Sequence, residues 1–521
     1  MKQLLLSAIF IGTCLGFNSA SAQSTGFIKV PDPGTNAYFY RAKATSTNHF
    51  ITIGTGGLAG INHEIIYWDV DFNPVWSLNF PTAVVQSWVD VIETNDGNFV
   101  AMGYNQNRNG CEIAIKISPA GTVLWQKEYY ITGTFLTSFS LSKAAGNDPG
   151  FVFGGGACAA SAFLVRCGVN GDIVWQNEYF ITGMSGVETT ETIIAENNSY
   201  VLGGNAANGS VNDAWITKID SAGAWIFTNY VHEPTLNEIP YRMIKLSTGN
   251  YAMACYYNSN PNYAELVYYF DPLGNVIQGS KFIHPLQTDV QFYDLTESSA
   301  GKVIVVGAVN DNSTIKYLYM ELSATGAINW EKKATGVTPG YLNGTAYAIT
   351  KTPNGNFAIF GNSYTDQRTI TVIDGSGTGF CNGVTETIPA SAPDAYTVIA
   401  TTPVIFSPNI LAASVTNAAT PLTLTTANMC GAIGTNDISN SINDISVFPN
   451  PAANEITLDF GNLLVNKAEI SFYNMLGENV FSSSIANENS KTIDISKLAS
   501  GIYMMEVLIN GEKIIKKVIK D

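Results

Sequence analysis

Charged residues are scarce in this chain, and most of those present are acidic. Only 13% of the 521 residues are Asp, Glu, Lys or Arg, against about 25% in a typical soluble domain. The formal net charge is −16 and the pI is about 4.7. Nucleic-acid binding requires a basic face that neutralises phosphates, and nothing in the chain supplies one. The composition therefore excludes nucleic acid as a partner and disfavours an anionic membrane surface.

Residues that commonly carry catalysis or bind metals are also few. The sequence contains no H-E-x-x-H, C-x-x-C, Walker or G-x-S-x-G motif. Asp69-Val70-Asp71 begins like a calcium loop, but it lacks the later glycine and the closing acid that such loops require. We therefore expect no metal, no cofactor and no assigned catalytic residue, which favours a protein without enzymatic activity. The four histidines lie far apart, without metal-ligand spacing: His49, His63, His232 and His284.

Long hydrophobic runs are absent, so no stretch is predicted to remain in a bilayer as a transmembrane segment. The N-terminus instead has the pattern of a secretory signal. Lys2 precedes a mostly apolar run over residues 4–17, and Ala20-Ser21-Ala22 forms an A-x-A cleavage site. We predict that residues 1–22 are a signal peptide and that the mature chain, beginning with a lead-in over 23–37, is exported.

Most of the chain consists of one phrase repeated seven times at intervals of 49 to 54 residues. The phrase is a turn, an aromatic residue, a few apolar or small residues, and a glycine. Periods of this size indicate propellers or solenoids. The copies end at Gly54, Gly103, Gly155, Gly204, Cys255, Gly307 and Gly361.

Each repeat has the pattern of four short strands. In the second repeat we predict strands over 88–93, 99–104, 112–117 and 123–129, with Ile113, Ile115 and Ile117 on one face. Four strands in each of seven repeats predict an all-β, seven-bladed β-propeller over residues 38–382. The sequence leaves two candidates for closing the propeller: either residues 27–30 or the segment 383–429 could add a strand to the last blade.

Four tryptophans lie on the predicted outer strand, and three of them follow a turn glycine by four residues. This G-x-x-x-W piece resembles the tryptophan docking motif of quinoprotein-type propellers. The resemblance supports the propeller fold. Quinoprotein dehydrogenases typically have adjacent cysteines beside the cofactor, and this chain has no Cys-Cys pair, which argues against that activity. The tryptophans are Trp76, Trp125, Trp175 and Trp330.

Six cysteines remain after the predicted cleavage, and an even number in an oxidising compartment permits disulfides. Cys381 stands where the last repeat would have its tryptophan, and Cys430 closes a segment rich in Thr, Ala and Pro. We predict a Cys381–Cys430 disulfide that staples this segment to the last blade. Four cysteines have no predicted pairing: Cys111, Cys158, Cys167 and Cys255.

The C-terminal region, residues 442–521, is preceded by the Thr/Ala/Pro-rich β segment and linker over 383–441 and contains the chain's only concentration of lysines. It carries VFPNPAANEITL from Val447, SFYNMLG from Ser471 and ISKLASGIY from Ile495. These motifs resemble the type A C-terminal sorting domain of the type IX secretion system of Bacteroidota. The resemblance implies a small Ig-like β-sandwich, recognition by the outer-membrane translocon and cleavage by a sortase-like peptidase. It also implies a released or surface-attached protein.

Polar residues recur nine positions before the repeat aromatic, in the innermost predicted strand of each blade. Aromatic residues often precede them, and Tyr241 and Tyr293 are two of these. A ring of mixed charges beside aromatic side chains is typical of a surface that binds a glycan or a protein. We therefore predict a binding site on the central channel. The ring positions are Arg41, Asp90, Ser140, Glu191, Arg242, Asp294 and Ala348, with a two-residue insertion allowed in the third repeat.

Three alternatives remain open from the sequence. The ring charges could pair with one another and serve only solubility. Asp90, Glu191 and Asp294 could act as acid and base in an extracellular polysaccharide hydrolase or lyase. The protein could also be a structural component of a surface layer or of gliding machinery.

Overall fold

The chain is represented by a computed structural model, in which two compact units cover Met1–Ile433 and Gly434–Asp521. All regular elements in the described residues are β-strands. The predicted signal peptide, Cys381 and Cys430 lie outside these residues. The described residues are 28–521 except 32–36, 57–61, 83–84, 86, 106–110, 132–135, 158–160, 182–185, 209–210, 233–237, 260–261, 283–289, 312–313, 335–343, 364–366, 380–382, 386–389, 392–396, 402, 407–410, 415–419, 422–425, 429–445, 461–467, 475–477, 486–487 and 510–511.

The described residues of the first unit form seven antiparallel sheets, numbered here in chain order. The strands predicted for the second repeat are confirmed to within a residue at each end. The strands of sheets 1 to 3, preceded by β1, are β1 (Ile28–Pro31), β2 (Tyr38–Ala44), β3 (Phe50–Gly56), β4 (Asn62–Trp68), β5 (Pro74–Pro81), β6 (Ser87–Glu93), β7 (Phe99–Asn105), β8 (Cys111–Ile117), β9 (Val123–Tyr130), β10 (Leu136–Lys143), β11 (Phe151–Ala157), β12 (Ser161–Cys167) and β13 (Ile173–Ile181). Those of sheets 4 to 7 are β14 (Gly186–Ala195), β15 (Ser199–Asn208), β16 (Val211–Asp220), β17 (Trp225–His232), β18 (Glu238–Lys245), β19 (Tyr251–Ser259), β20 (Asn262–Phe270), β21 (Val276–Phe282), β22 (Val290–Ser299), β23 (Lys302–Asp311), β24 (Thr314–Leu322), β25 (Ile328–Ala334), β26 (Gly344–Lys351), β27 (Phe357–Ser363) and β28 (Arg368–Ile373).

Period-2 alternation in each strand buries side chains on both faces of its sheet. In β8, Ile113 and Ile115 pack against sheet 1, whereas Ala114 packs against Phe151 and Phe153 of sheet 3. Seven such hydrophobic clusters each join two consecutive sheets, and the last joins sheet 7 to sheet 1. The first strands of the sheets also contact one another in a closed cycle, β2–β6–β10–β14–β18–β22–β26–β2. This closed arrangement of sheets is consistent with a β-propeller.

The repeated tryptophans dock sheets 1, 2, 3 and 6 onto the sheet that follows each of them. The indole Nε1 of Trp125 donates a hydrogen bond to Val169 O over 3.2 Å, and Trp76, Trp175 and Trp330 donate equivalent bonds to the following sheet. The turn beneath Trp76 requires glycine, because Gly121 has φ +81° and a Cβ there would lie 2.9 Å from the ring. The tryptophan and turn glycine of the repeat are therefore packing elements between sheets.

Closure of the first unit uses both candidate segments. Strand β1 pairs with β28 and becomes the fourth strand of sheet 7. The segment 383–428 then adds an outermost fifth strand to every sheet, in reverse chain order from sheet 6 to sheet 1 and finally to β1 of sheet 7. We call this segment the belt. Its strands are β29 (Gly383–Thr385), β30 (Ala390–Ser391), β31 (Thr397–Thr401), β32 (Pro403–Phe406), β33 (Leu411–Ser414), β34 (Thr420–Pro421) and β35 (Thr426–Asn428).

The second unit consists of two sheets with the strand orders β36-β37-β40 and β39-β38-β41-β42. One hydrophobic core includes Ile456 and Ile493 from the first sheet and Phe472, Met505 and Val518 from the second. Alternate residues of both sheets therefore meet in a shared interior. The strands are β36 (Ser446–Phe448), β37 (Glu455–Asp459), β38 (Ala468–Tyr473), β39 (Asn479–Ile485), β40 (Ser490–Asp494), β41 (Gly501–Ile509) and β42 (Glu512–Lys520).

Candidate ligand-binding channel

A β-bulge in the first strand of each sheet sets the geometry of the candidate site. In β2 the register passes from Phe39↔Gly54 to Arg41↔Ile53, so that Tyr40 is an extra residue without a partner in β3. Sheets 2, 3, 5, 6 and 7 have the same one-residue shift. Glycine closes the repeat because a Cβ at Gly54 would lie 1.8 Å from Tyr38 O. The extra residues are Tyr40, Val89, Phe139, Tyr241, Tyr293 and Tyr347.

The predicted ring residues directly follow these bulges, with one exception. Ser140 pairs with Gly154, which places it in register with Arg41 and Asp90 and supports the two-residue insertion. In sheet 4, Ala195 pairs with the repeat aromatic Tyr200, and regular pairing resumes only at Ile193. The position that corresponds to Arg41 is therefore Thr192, whereas Glu191 belongs to a longer bulge. The remaining ring positions, Arg242, Asp294 and Ala348, are in register.

Arg242 joins charges from three sheets. Its Nε lies 3.1 Å from Asp294 Oδ1 on the adjacent sheet 6, and its Nη1 lies 3.8 Å from Asp90 Oδ2 on sheet 2. Sheets 5 and 2 are not neighbours in the cycle, so the second contact crosses the interior. All three side chains are buried. Two of the predicted ring carboxylates are therefore brought together around one guanidinium group.

The backbone stabilises the two carboxylates further. Asp294 Oδ1 accepts from Leu295 N over 3.0 Å, and its Oδ2 accepts from Ile349 N of the next sheet over 3.0 Å. Asp90 Oδ1 accepts from Val91 N over 2.9 Å. The Thr192 hydroxyl accepts from Met243 N over 3.0 Å and repeats on sheet 4 the role that Asp294 has on sheet 6. Side chains at the ring position thus bond the inner edges of the first strands.

Two further cations lie beside this group. Burial, followed by repulsion from Arg242, lowers the pKa of Arg41 to about 10, against the opposing attraction of Asp90 and Asp294. Burial also lowers the pKa of Lys43, while Asp90 and Asp294 again oppose the shift. Lys43 was not predicted as a site residue. Its spacing is the signal that could have found it, because it lies two residues after Arg41 on the same strand.

Tyrosines form an arc along one side of the ring. The rings of Tyr241 and Tyr293 are 5.9 Å apart, and those of Tyr293 and Tyr347 are 4.9 Å apart. Burial raises the pKa of Tyr347, which also interacts electrostatically with Tyr40 and Arg41. The arc therefore covers sheets 5, 6 and 7 and approaches sheet 1. Such half-buried aromatic faces can stack on the apolar faces of ligands.

A cavity of about 340 Å³ lies beside the charged group, lined by residues from all seven first strands. Its lining includes Asp90, Arg242 and Asp294 together with Lys43 and Lys143. The volume falls at the lower end of the range for small-molecule sites, about 300–1,000 Å³. Ser140 is buried, and the side chain of Glu191 lies outside the described residues.

The described part of the chain contains neither a cluster of metal-binding side chains nor a helix that could cross a membrane. No three His, Cys, Asp or Glu side chains there come close enough together to hold an ion. The Asp69 carboxylate instead accepts hydrogen bonds from Asp71 N and Asn73 N of its own turn. Across the described ranges, no helix has the length and hydrophobicity to cross a membrane. Cys167 and Cys255 are buried free thiols.

Comparison with known proteins identifies the C-terminal region. Residues 446–521 match the family described as "Secretion system C-terminal sorting domain". This match supports a type IX sorting-domain protein that is exported and interacts with the type IX secretion machinery. A search of curated proteins finds no match to the chain.

Solved structures resemble the chain only distantly. Sqt1 from Chaetomium thermophilum shows 12% identity over 65% of this chain and 82% of its own, with a TM-score of 0.37. The polysaccharide lyase Uly1 shows 8% identity over 64% and 89%, with a TM-score of 0.39. Drosophila Semaphorin 2a shows 7% identity over 96% and 98%, with a TM-score of 0.42. Similarity at this level carries no conclusion about activity or ligand.

Proposed function

We propose that this chain is an exported seven-bladed β-propeller that binds a glycan or protein in its central channel. In this proposal residues 38–382 form the blades, residues 383–441 supply the belt and linker, and residues 442–521 form an Ig-like sorting domain. A Bacteroidota type IX translocon and a sortase-like peptidase deliver it, after removal of residues 1–22. The mature protein is then released or attached to the cell surface.

The observation that carries the binding function is the structured interior of the sheet cycle. Arg242 is held by Asp90 and Asp294 from two other sheets, and a tyrosine arc lies along the same first strands. A fixed set of charges beside aromatic faces and a cavity provides recognition groups in a defined geometry. The pairing of Arg242 with Asp90 and Asp294 is also what the solubility alternative expects. Such pairing stabilises the fold and is compatible with a binding site in the same channel.

The test is a glycan and protein array probed with the secreted mature chain and with its Asp90→Asn/Arg242→Met variant. The variant replaces both charges with side chains of similar size, and its folding is checked by tryptophan fluorescence. We expect at least one class of ligand to bind the wild type and to bind the variant more than tenfold weaker. If every ligand found binds the folded variant as well as the wild type, the channel is not the binding site.

A polysaccharide hydrolase or lyase is the second candidate. Asp90 and Asp294 contact the same guanidinium group, so their carboxylates lie within roughly 10 Å of each other. This separation is compatible with that of the two carboxylates in glycosidases. The arrangement favours binding nonetheless, because Arg242 occupies the space between them where substrate or water would have to lie. Release of reducing ends from acidic and neutral polysaccharides, lost in Asp90→Asn and in Asp294→Asn, would establish the enzyme instead.

A structural role in a surface layer or in gliding requires no ligand in the channel. Deletion of the gene followed by motility and surface-integrity assays tests that role. Rescue by the Asp90→Asn/Arg242→Met variant would favour it over binding.

A further inference from the structure

The cavity beside Arg242 differs in charge from the protein as a whole. The chain has a formal net charge of −16. Among the residues that line the cavity, however, four are cationic, Lys43, Lys143, Arg242 and Lys245, and only two are acidic, Asp90 and Asp294. An acidic protein therefore presents a local cationic pocket at one place in its channel.

The two acidic residues balance only part of the positive charge: Asp90 and Asp294 attract Lys43 as well as Arg242, but they face four cationic side chains. Both carboxylates contact Arg242, and both accept backbone hydrogen bonds from Val91, Leu295 or Ile349. Their charge is thus directed at the guanidinium and the inner strand edges. With two carboxylates against four cationic side chains, the lining keeps a positive formal charge.

The lysines differ in how far they are already paired. Lys245 forms an ion pair with Glu196 outside the cavity. Lys43 and Lys143 form no ion pair with any carboxylate in the residues that the structure describes. Lys43 is half-buried and Lys143 is exposed. Two ammonium groups therefore remain to attract an anionic group that enters the cavity.

The rest of the lining fits a sugar ring better than a peptide. It includes the hydroxyl-bearing residues Ser142, Thr296 and Thr350 and the aliphatic residues Ile194 and Ile244. A pyranose ring presents the same mixture of hydroxyl groups and apolar C–H faces. An extended peptide would instead need free backbone groups along the inner strands, several of which are already bonded to Asp90, Thr192 and Asp294.

We propose that this cavity binds the uronate unit of an acidic saccharide, with its carboxylate between Lys43 and Lys143. The proposal rests on the proposed function, because it names the ligand class of the same channel. The cavity of about 340 Å³ accommodates a chain end or a short oligosaccharide rather than the middle of a long polymer.

The experiment is calorimetric titration of the mature full chain with disaccharides of galacturonate, glucuronate and mannuronate, each beside its neutral counterpart. The variants are Lys43→Gln and Lys143→Gln. Lys332→Gln on outer strand β25 is the matched control, because it also removes one positive charge but does not line the cavity. A hexaglutamate peptide serves as the acidic peptide probe.

We expect at least one uronate disaccharide to bind, its neutral counterpart to bind at least tenfold weaker, and added salt to weaken the interaction. Each cavity variant should weaken binding about tenfold, as expected for one charge-assisted hydrogen bond, while Lys332→Gln leaves it unchanged. Lys143 is exposed, so its substitution tests the proposal even if Lys43→Gln fails to fold.

Three other results overturn the inference. Equal binding of neutral and acidic sugars, unaffected by Lys143→Gln, would leave a binding channel without anion selectivity, and the proposed function would survive. Tighter binding of hexaglutamate than of any uronate would identify an acidic peptide as the ligand. Failure of every saccharide and protein to bind, on the array and in titration, would remove the proposed function as well.

Discussion

Replacing Arg242 with leucine should destabilise the first unit strongly, because it leaves two buried carboxylates without their cation. Only 2% of the Asp90 surface and 5% of the Asp294 surface are exposed to solvent. The substitution retains the aliphatic bulk of the arginine stem and removes the guanidinium that contacts both carboxylates. It therefore tests the ion group with little change in packing.

The expected magnitude follows from burial and from the remaining hydrogen bonds. Breaking a buried ion pair by removing one partner costs about 3–5 kcal/mol. Asp90 and Asp294 keep their bonds from backbone N–H groups, which offset part of the desolvation of the bare carboxylates. The Asp90 contact is also the longer of the two, at 3.8 Å. We therefore expect a loss of about 3 kcal/mol in the free energy of unfolding near neutral pH.

Urea unfolding followed by tryptophan fluorescence measures this loss directly. All eight tryptophans lie within Met1–Ile433, so the signal follows the first unit alone. The control is the triple variant Asp90→Asn/Arg242→Leu/Asp294→Asn, in which neither carboxylate is left without its cation. It should recover most of the lost stability, since neutral amides preserve the shape of the site.

A single Arg242→Leu substitution that costs less than about 1 kcal/mol at every pH would refute the reasoning. It would show that the three side chains are solvated and interact only as an exposed pair does.

Other perturbations have equally definite outcomes. Trp175→Ala should lower the free energy of unfolding by about 3–5 kcal/mol, measured in urea, because it removes a large ring from the contact between sheets 3 and 4. Gly121→Ala should cost more than about 1 kcal/mol in the same assay, since it places a Cβ 2.9 Å from Trp76 at φ +81°. Burial raises the pKa of Glu196, but hydrogen bonds from lysine and tyrosine partners outweigh burial and lower this pKa to about 2. The wild type should therefore lose stability as the pH falls from about 4.5 toward 2, and Glu196→Gln should lose less over that interval. A chain that ends at residue 382 should aggregate in light scattering, whereas one that ends at residue 433 stays monodisperse, because only the longer chain keeps the belt on the outer strands.

Controls and contradicting results can be stated for three of these predictions. The control for Gly121→Ala is Gly97→Ala. It also places an alanine at positive φ, but its Cβ meets nothing within 4 Å, so it measures the backbone cost without the clash. Equal acid sensitivity of Glu196→Gln and wild type would show that other carboxylates dominate the pH dependence. A monodisperse chain ending at residue 382 would show that the belt does not protect the sheet edges.

The repeat phrase allowed most of the blades' architecture to be predicted from sequence. Its aromatic residue, closing glycine and turn glycine each have a packing reason that recurs in most of the sheets, so the pattern is visible without coordinates. The closing glycine faces the bulge, where a Cβ at Gly54 would lie 1.8 Å from a backbone oxygen. Cys255 takes that position in sheet 5 and is buried. The pattern thus tolerates a small side chain at one copy.

Two features could not be predicted from residue counting. Counting nine residues back from the repeat aromatic selects Glu191, but the corresponding residue in sheet 4 is Thr192. The turn of this sheet is one residue shorter and its bulge one residue longer than in most of the other sheets, so the overall length of the repeat does not reveal the difference. The belt was not predicted either, since strands of two to five residues have too little pattern to reveal their partners. Its reverse order around the sheets is decided by tertiary pairing.

The most direct test of the central claim is hydrogen–deuterium exchange of the mature chain with and without a saturating ligand from the array. The account predicts slower exchange in the channel strands β2, β6, β18 and β22, where Arg41, Asp90, Arg242 and Asp294 lie. Exchange in the outer strands β5, β9 and β21 should remain unchanged. Protection confined to the outer strands or to residues 446–521, with none in the channel strands, would contradict it.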